Sequence, residues 1–200
     1  MSSSDRLAVM SVHPRKARER AERHQRIVSA ARRLAETEGW DAVTVRRLAE
    51  SIEYSQPVLY SHFRNKDEIV GAVALEGFTE LTVTLRGATL AKAPGRAAVA
   101  ALVEAYMAFA ERHPALYEGM FSLSNGLPFA DQATPAPMRE GFAALLDTLS
   151  EVAGEVAPGL FTEVAWAALH GLVTLTHAGR LPPEHTSGRL ELLVNWLVGK

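Results

Sequence analysis

The chain has no cysteine among its 200 residues. That single absence removes a disulfide framework, a thiolate zinc site, an iron–sulfur cluster and a cysteine nucleophile, and it suits a reducing compartment. Aromatic residues are sparse at 7%, and the 14 Gly and 10 Pro are too thinly spread for a collagenous or broadly disordered chain. No window of eighteen apolar residues free of charge offers a membrane span, and Met1 to Val12 lack the apolar run of a signal peptide. The expected location is therefore the cytoplasm, with no membrane partner. A glycine-rich phosphate loop, an activated nucleophile and a carboxylate pair with a clear partner are also missing, so no enzymatic activity and no cofactor are expected.

What is present is an uneven charge. Net charge is −2 overall, yet residues 1–70 hold 13 Lys+Arg against 10 Asp+Glu while residues 71–200 hold 8 against 13. Nine of the basic residues fall between Arg6 and Arg33, opposed only by Glu19 and Glu22. A basic N-terminal module on an acidic body points to an anionic partner for one end of the molecule. Two hundred residues are enough for one main core with a small appended module.

Apolar residues recur at three- and four-residue spacing along almost every long segment, and no alternating β-branched run appears, so the chain reads as all-α. A first helix is predicted over Arg15–Glu38, with Ile27, Ala30, Ala31 and Leu34 as its apolar stripe and Gly39 as its left-handed end, after a flexible arm over residues 1–14. Thr44 suits the N-cap of a short helix to Ile52, and Ser55 that of another to His62, with Pro57 in its first turn. Asn65, followed by Asp67 and Glu68, opens a long helix from Lys66 to Leu90. Beyond it are a helix reaching His113, a short one from Pro114 to near Ser124, a proline-containing loop over Asn125–Pro137, and helices over Met138–Val156, Thr162–Ala178 and Ser187–Leu197.

Two short helices joined by a tight turn and preceded by a longer one form a helix-turn-helix, whose second helix enters the DNA major groove while the first crosses the backbone. The residues Thr44-Val45-Arg46-Arg47-Leu48-Ala49, then Ser55-Gln56-Pro57-Val58-Leu59-Tyr60-Ser61-His62-Phe63 and Arg64-Asn65-Lys66-Asp67-Glu68-Ile69-Val70, resemble the DNA-binding domain of the tetracycline-repressor (TetR) family over Arg23 to Val70. The resemblance implies that Arg46, Gln56, Pro57 and Val58 face base edges, that Thr44, Tyr60, His62 and Lys66 hold phosphates, and that Ser55 belongs to the same DNA-binding surface. Each role suits its chemistry: Arg pairs with guanine, Gln with adenine, and Pro or Val packs on a thymine methyl. Arg46 is the strongest of these, because no intramolecular carboxylate is evident for it. One departure stands out, since the turn reads Glu53-Tyr54 where the family usually has Gly and an apolar residue; a non-Gly residue in a left-handed position costs about 1 kcal/mol. Phe63 is assigned to the core with Leu59. The arginines from Arg15 to Arg23 are either a solvated helix face or contacts to phosphate or an adjacent groove.

From Gly71 onward the chain reads as a helical bundle, and the resemblance implies ligand sensing and dimerisation there. Trp166-Ala167-Ala168-Leu169-His170-Gly171 is similar to the C-terminal Trp-x-x-x-His-Gly signature of one TetR subgroup. Tyr106, Met107, Phe109, Tyr117, Met120, Phe121, Phe142, Leu146, Trp166 and His170 are the candidate lining of a cavity for a small hydrophobic effector, with Asn125–Pro137 as its lid. His170 and His177 share a helix face but lack a third ligand, so no metal is expected. Val164, Ala168, Leu169, Leu172 and Val173, with Leu190, Leu193, Val194 and Leu197, make the last two helices broad enough to pair with a second copy. The expected whole is a homodimeric, ligand-responsive repressor binding a palindromic double-stranded operator, residues 15–70 reading DNA and 71–200 sensing and dimerising, with Gly71 and Gly77 as bends in the long helix between them. A helical enzyme and an architectural DNA-binding protein that answers to a protein partner are the rival readings.

Overall fold

The computed structural model describes residues 3–123 and 125–199, with side chains from Arg15 onward. The described residues are all-helical. They form α1 (Ser3–Glu38), α2 (Val45–Ser51), α3 (Gln56–Tyr60), α4 (Lys66–Thr89), α5 (Arg96–Arg112), α6 (Pro114–Phe121), α7 (Ala136–Leu149), α8 (Pro158–His177) and α9 (Thr186–Leu197), with short 3₁₀ turns at Trp40–Ala42, Ser150–Val152 and Pro183–His185. None of these helices is long and apolar enough to cross a membrane.

Local chemistry accounts for most boundaries. Thr44 Oγ1 accepts the Arg47 N–H at 3.2 Å and Asn65 Oδ1 accepts the Glu68 N–H at 2.9 Å, so α2 and α4 begin on side-chain caps. Several boundaries differ from the sequence reading. Helix α1 reaches back to Ser3, where residues 3–14 read as a flexible arm. Helix α3 is shorter than Ser55–His62. Helix α7 gives way at Ser150 to a 3₁₀ turn and the chain reverses at Gly154 (φ 61°), short of Val156. Helix α8 starts at Pro158, not Thr162, since a proline in the first turn withholds an N–H that has no acceptor there.

Helix α4 runs through the middle and packs against α1, α5, α6 and α7. Gly71 and Gly77 both lie within the continuous α4 helix, at close approaches. A Cβ at Gly77 would lie 2.6 Å from Met120 Sδ and 2.9 Å from Leu116 Cδ1, and one at Gly71 2.7 Å from the Asn125 carbonyl. Their smallness lets α6 and the following loop lie on α4.

The N-terminal helices are fastened to this body at several points. Arg32 forms a two-pronged ion pair with Glu80, with Nη2 to Oε2 at 2.9 Å, and Gln25 donates to Glu76 at 2.6 Å. Glu36 accepts the backbone N–H groups of Ala115 and Leu116 at 3.2 and 3.0 Å, capping α6 from α1. Trp40 is buried, donates its indole N–H to the Ala115 carbonyl at 2.7 Å, and leaves no room at Gly119, where a Cβ would sit 2.8 Å from the ring.

On the last two helices the division of faces also departs from the sequence reading. Leu169, Val173, Leu193, Val194 and Leu197 are buried in the chain's own core. The large apolar residues left exposed there are Leu160, Val164 and Leu175 on α8 and Leu192 and Trp196 on α9.

Candidate nucleic-acid interface and effector site

The turn between α2 and α3 is a left-handed helix end. Glu53 has φ 55°, Tyr54 N–H bonds back to the Ala49 carbonyl at 2.9 Å, and Ile52 N–H to Leu48 at 3.2 Å, the pattern that normally selects glycine at the position Glu53 holds. The turn therefore forms without glycine, at the cost of local strain. Leu59 and Phe63 are buried beneath α3, as expected.

The opposite face of α3 is open. Ser55 takes the N-cap position, but its hydroxyl makes no capping bond, so it is free to meet an outside group. Gln56 and Pro57 are exposed, Tyr60 is 55% exposed, and Val58 is half-buried at the edge of this face. Thr44 is exposed, and its oxygen is shared with the α2 cap.

Arg46 requires a correction. A carboxylate is within reach: Arg46 Nε donates to Glu50 Oε1 at 2.9 Å, one helical turn along, which the i, i+4 spacing could have disclosed. Both side chains are exposed, and such a pair is weakly held, so the guanidinium remains exchangeable. Arg47 instead ties α2 to the end of α1 through two 2.9 Å bonds to Glu38, whose pKa is lowered by that hydrogen bond. Lys66, half-buried, donates its ammonium to the Trp40 carbonyl, so a phosphate would share it with the fold.

His62 sits among groups that the sequence reading left open. Arg20 Nη2 donates to the Ser61 carbonyl at 3.0 Å, His24 stacks on Phe63 with centroids 4.6 Å apart, and His24 and His62 lie 6.1 Å apart. Burial, then the charges of Arg20, His24 and Arg23, push the His62 pKa below the ordinary histidine value. Arg26 reaches the Tyr54 hydroxyl at 3.3 Å. Part of the basic stripe of α1 thus positions the turn and the end of α3.

In the body, the structure brings together Tyr106, Tyr117, Phe121, Trp166 and His170 from the expected effector residues. Trp166 Nε1 donates to Tyr106 Oη at 3.0 Å, the Tyr106 and Tyr117 hydroxyls are 2.9 Å apart, and Tyr117 Oη lies 2.7 Å from His170 Nδ1. Burial pushes the Tyr106 pKa up to about 12, raises that of Tyr117 further, and lowers that of His170, so all three are neutral at physiological pH. Phe78 and Phe129 were not legible as partners, yet they close a circuit of rings: Phe78–Phe121 at 5.2 Å, Phe121–Trp166 at 5.9 Å, Trp166–Phe129 at 6.3 Å and Phe129–Phe78 at 6.2 Å. Met120 packs on α4 at Gly77. Phe109 is buried against His113, with centroids 5.3 Å apart, while Met107, Phe142 and Leu146 are half-buried and take no part in these bonds or ring contacts.

Two clefts open elsewhere. One, of about 510 Å³, lies where the modules meet, with Trp40, Asp41, Lys66 and Glu118 in its wall; another, of about 500 Å³, lies beside Arg26, Arg33 and Ile52. Neither is lined by the rings of the aromatic circuit.

Comparison with known proteins bears on both modules. The family model described as bacterial regulatory proteins, tetR family, matches residues 27–73, and the model described as tetracyclin repressor-like, C-terminal domain, matches residues 99–198. An uncharacterized HTH-type transcriptional regulator of Mycobacterium tuberculosis is 27% identical over 156 residues, 76% of this chain and 69% of the relative. An HTH-type transcriptional repressor of the same organism is 41% identical over 56 residues, 28% of this chain and 30% of its own. The solved structure of a protein with unknown function from Rhodococcus sp. superposes with a TM-score of 0.68 at 28% identity, covering 88% of this chain and 95% of that one. With one model on the helix-turn-helix and the other on half of the chain, this protein belongs to the tetR family of bacterial regulatory proteins and is a helix-turn-helix transcriptional regulator.

Proposed function

We propose that this regulator is a homodimeric repressor that holds a palindromic operator through α3 and is released by a small apolar effector bound in the aromatic circuit. The observation that carries the reading is the open face of α3: Ser55, Gln56, Pro57 and Tyr60 point outward on a helix whose other side, Leu59 with the following Phe63, is anchored in the core. Residues that serve only packing would not be left uncovered in this pattern. Val58 borders the base-reading face, while Thr44, His62 and Lys66 flank it with phosphate donors and Arg46 can trade Glu50 for DNA. Residues 15–70 then read DNA and 71–200 sense and dimerise.

Dimerisation is supported by the exposed apolar stripe on α8 and α9, where Leu192 is 68% and Trp196 57% exposed. Pairing these faces between two copies makes a four-helix interface and sets the two recognition helices about 34–36 Å apart, one turn of DNA. The repressing direction is supported by the named repressor among its relatives.

Release follows from the fastening of α6. Its residue Tyr117 belongs to the effector cluster, while the N–H groups at its start are held by Glu36 and its Ala115 carbonyl by Trp40. An effector that wedges α6 away from α8 moves the very segment the DNA-binding module grips. A full switch between two states requires about 5.5 kcal/mol of differential affinity, and a partial one less.

The test is fluorescence anisotropy of the purified protein on labelled duplex from its own upstream region, across a salt series, with Gln56→Ala alongside. Two protomers per site, affinity about a thousandfold above a scrambled duplex and a steep salt slope are expected. Gln56→Ala should remove about 1–3 kcal/mol of sequence discrimination while leaving scrambled binding unchanged. Equal affinity for both duplexes, untouched by Gln56→Ala, refutes the reading.

A further inference from the structure

The hydrogen-bond relay inside the effector cluster has a direction, and the direction identifies what an effector must carry. Trp166 Nε1–H is a donor only, so Tyr106 Oη accepts at that contact. Tyr106 is fully buried, and the acceptor within reach of its own O–H is Tyr117 Oη at 2.9 Å. Tyr117, having accepted there, donates onward to His170 Nδ1 at 2.7 Å. Reversing the chain would leave the Tyr106 hydroxyl hydrogen orphaned in the core, a loss that buried hydroxyls rarely sustain. His170 Nδ1 is therefore the acceptor at which the relay ends.

A neutral imidazole with an acceptor at Nδ1 carries its proton at Nε2. That N–H faces Thr174 Oγ1 at 3.5 Å, the limit of hydrogen bonding, on the half-exposed edge of the ring. The same imidazole lies 5.4 Å from Phe121 in the ring circuit. Phe129, from the loop before α7, is the member of that circuit open to solvent, at 48% exposure, and lies parallel to Trp166. The cluster thus holds one under-used hydrogen-bond donor on a ring packed against Phe121, and the circuit that Phe121 belongs to has one exposed ring, Phe129.

Resting on the reading of this cluster as the effector site, we propose that the effector is an apolar molecule bearing a hydrogen-bond acceptor, a carbonyl or carboxylate oxygen, which His170 Nε2–H binds while the apolar part lies against the rings of the circuit. A donor-only polar group, such as an alkylammonium, cannot accept from Nε2–H. The relay acts as the means of holding His170 in the donating tautomer.

The test begins with the ¹⁵N long-range spectrum of the seven histidines, with His170→Phe assigning the His170 signal. Hydrogen at Nε2 is expected; hydrogen at Nδ1 overturns the proposal, and this result needs no variant to remain folded beyond the assignment. Titrations of the intact protein then compare 2-acetylnaphthalene and 2-naphthoate, which bear acceptors, with 2-ethylnaphthalene and naphthalen-2-ylmethylammonium, which do not. The acceptor-bearing probes should bind about tenfold tighter, with the preference lost in His170→Phe. A preference for 2-acetylnaphthalene over 2-naphthoate marks a neutral carbonyl effector, the reverse a carboxylate. Binding of all four probes with equal strength, or best by the ammonium, overturns the acceptor assignment and leaves the effector site standing. Binding of none at millimolar concentration removes the effector-site reading itself.

Discussion

Replacing Glu36 by alanine tests the joint between the two modules. Its carboxylate accepts two backbone N–H groups at the start of α6, at 3.2 and 3.0 Å, in a half-buried position. Those donors are among the ones that a helix cannot satisfy internally. A net contribution of about 1.5–3 kcal/mol is typical for a hydrogen bond to a charged group, and the favourable charge at a helix start adds about 0.3–1 kcal/mol. Some water can reach the vacated groups, which places the cost of Glu36→Ala at about 2–3 kcal/mol. Glu36→Gln keeps one acceptor oxygen but loses the charge, so it should cost about half as much. The assay is urea unfolding followed by far-ultraviolet circular dichroism and by tryptophan emission, since Trp40 bonds to the Ala115 carbonyl at the same joint. A loss below about 0.5 kcal/mol for alanine, or equal losses for both variants, would refute the reasoning that α6 is held at its start from α1.

Two further outcomes follow from local strain and from titration. Glu53→Gly should stabilise the protein by up to about 1 kcal/mol, because Glu53 holds φ 55° where a side chain is strained; for a chain of this size that is a rise of about 2–4 °C in thermal midpoint, and a fall would show that the side chain supports the turn in another way. His62 and His170 both have pKa values lowered chiefly by burial, so the unfolded chain binds more protons than the folded one below about pH 6.5. Stability should accordingly be complete above that pH and decline as pH falls through the range beneath it, with the decline reduced in His170→Phe if that variant folds; unchanged urea midpoints between pH 7.5 and 5.5 would contradict both assignments.

The amino-acid sequence by itself determined the helical class, the helix-turn-helix and most helix starts. These are local matters: Thr44 and Asn65 cap the helices that follow them because a short polar side chain reaches the next turn's N–H groups, and Leu59 and Phe63 share a face because α-helical spacing requires it. The set Ser55, Gln56, Pro57 and Tyr60 came from the resemblance to the tetR family, and the structure leaves all four exposed. The Arg46–Glu50 pair is equally local, and its four-residue spacing stands in the sequence.

Only the tertiary structure decided which of many apolar residues do what. Leu193 and Leu192 are adjacent and chemically alike, yet one is buried in the core and the other 68% exposed, a difference set by how α9 lies on α5. Gly71 and Gly77 lie where α6 and the loop after it press on α4, a contact that their positions in the sequence do not disclose. Phe78 and Phe129 joined the aromatic circuit, and Glu36 and Trp40 the joint with α6, across separations of dozens of residues. Helix period and capping act within one or two turns of chain and can be read along it. Packing partners, and the direction in which a buried proton relay must run, depend on distances between segments, and those exist only once the chain has folded.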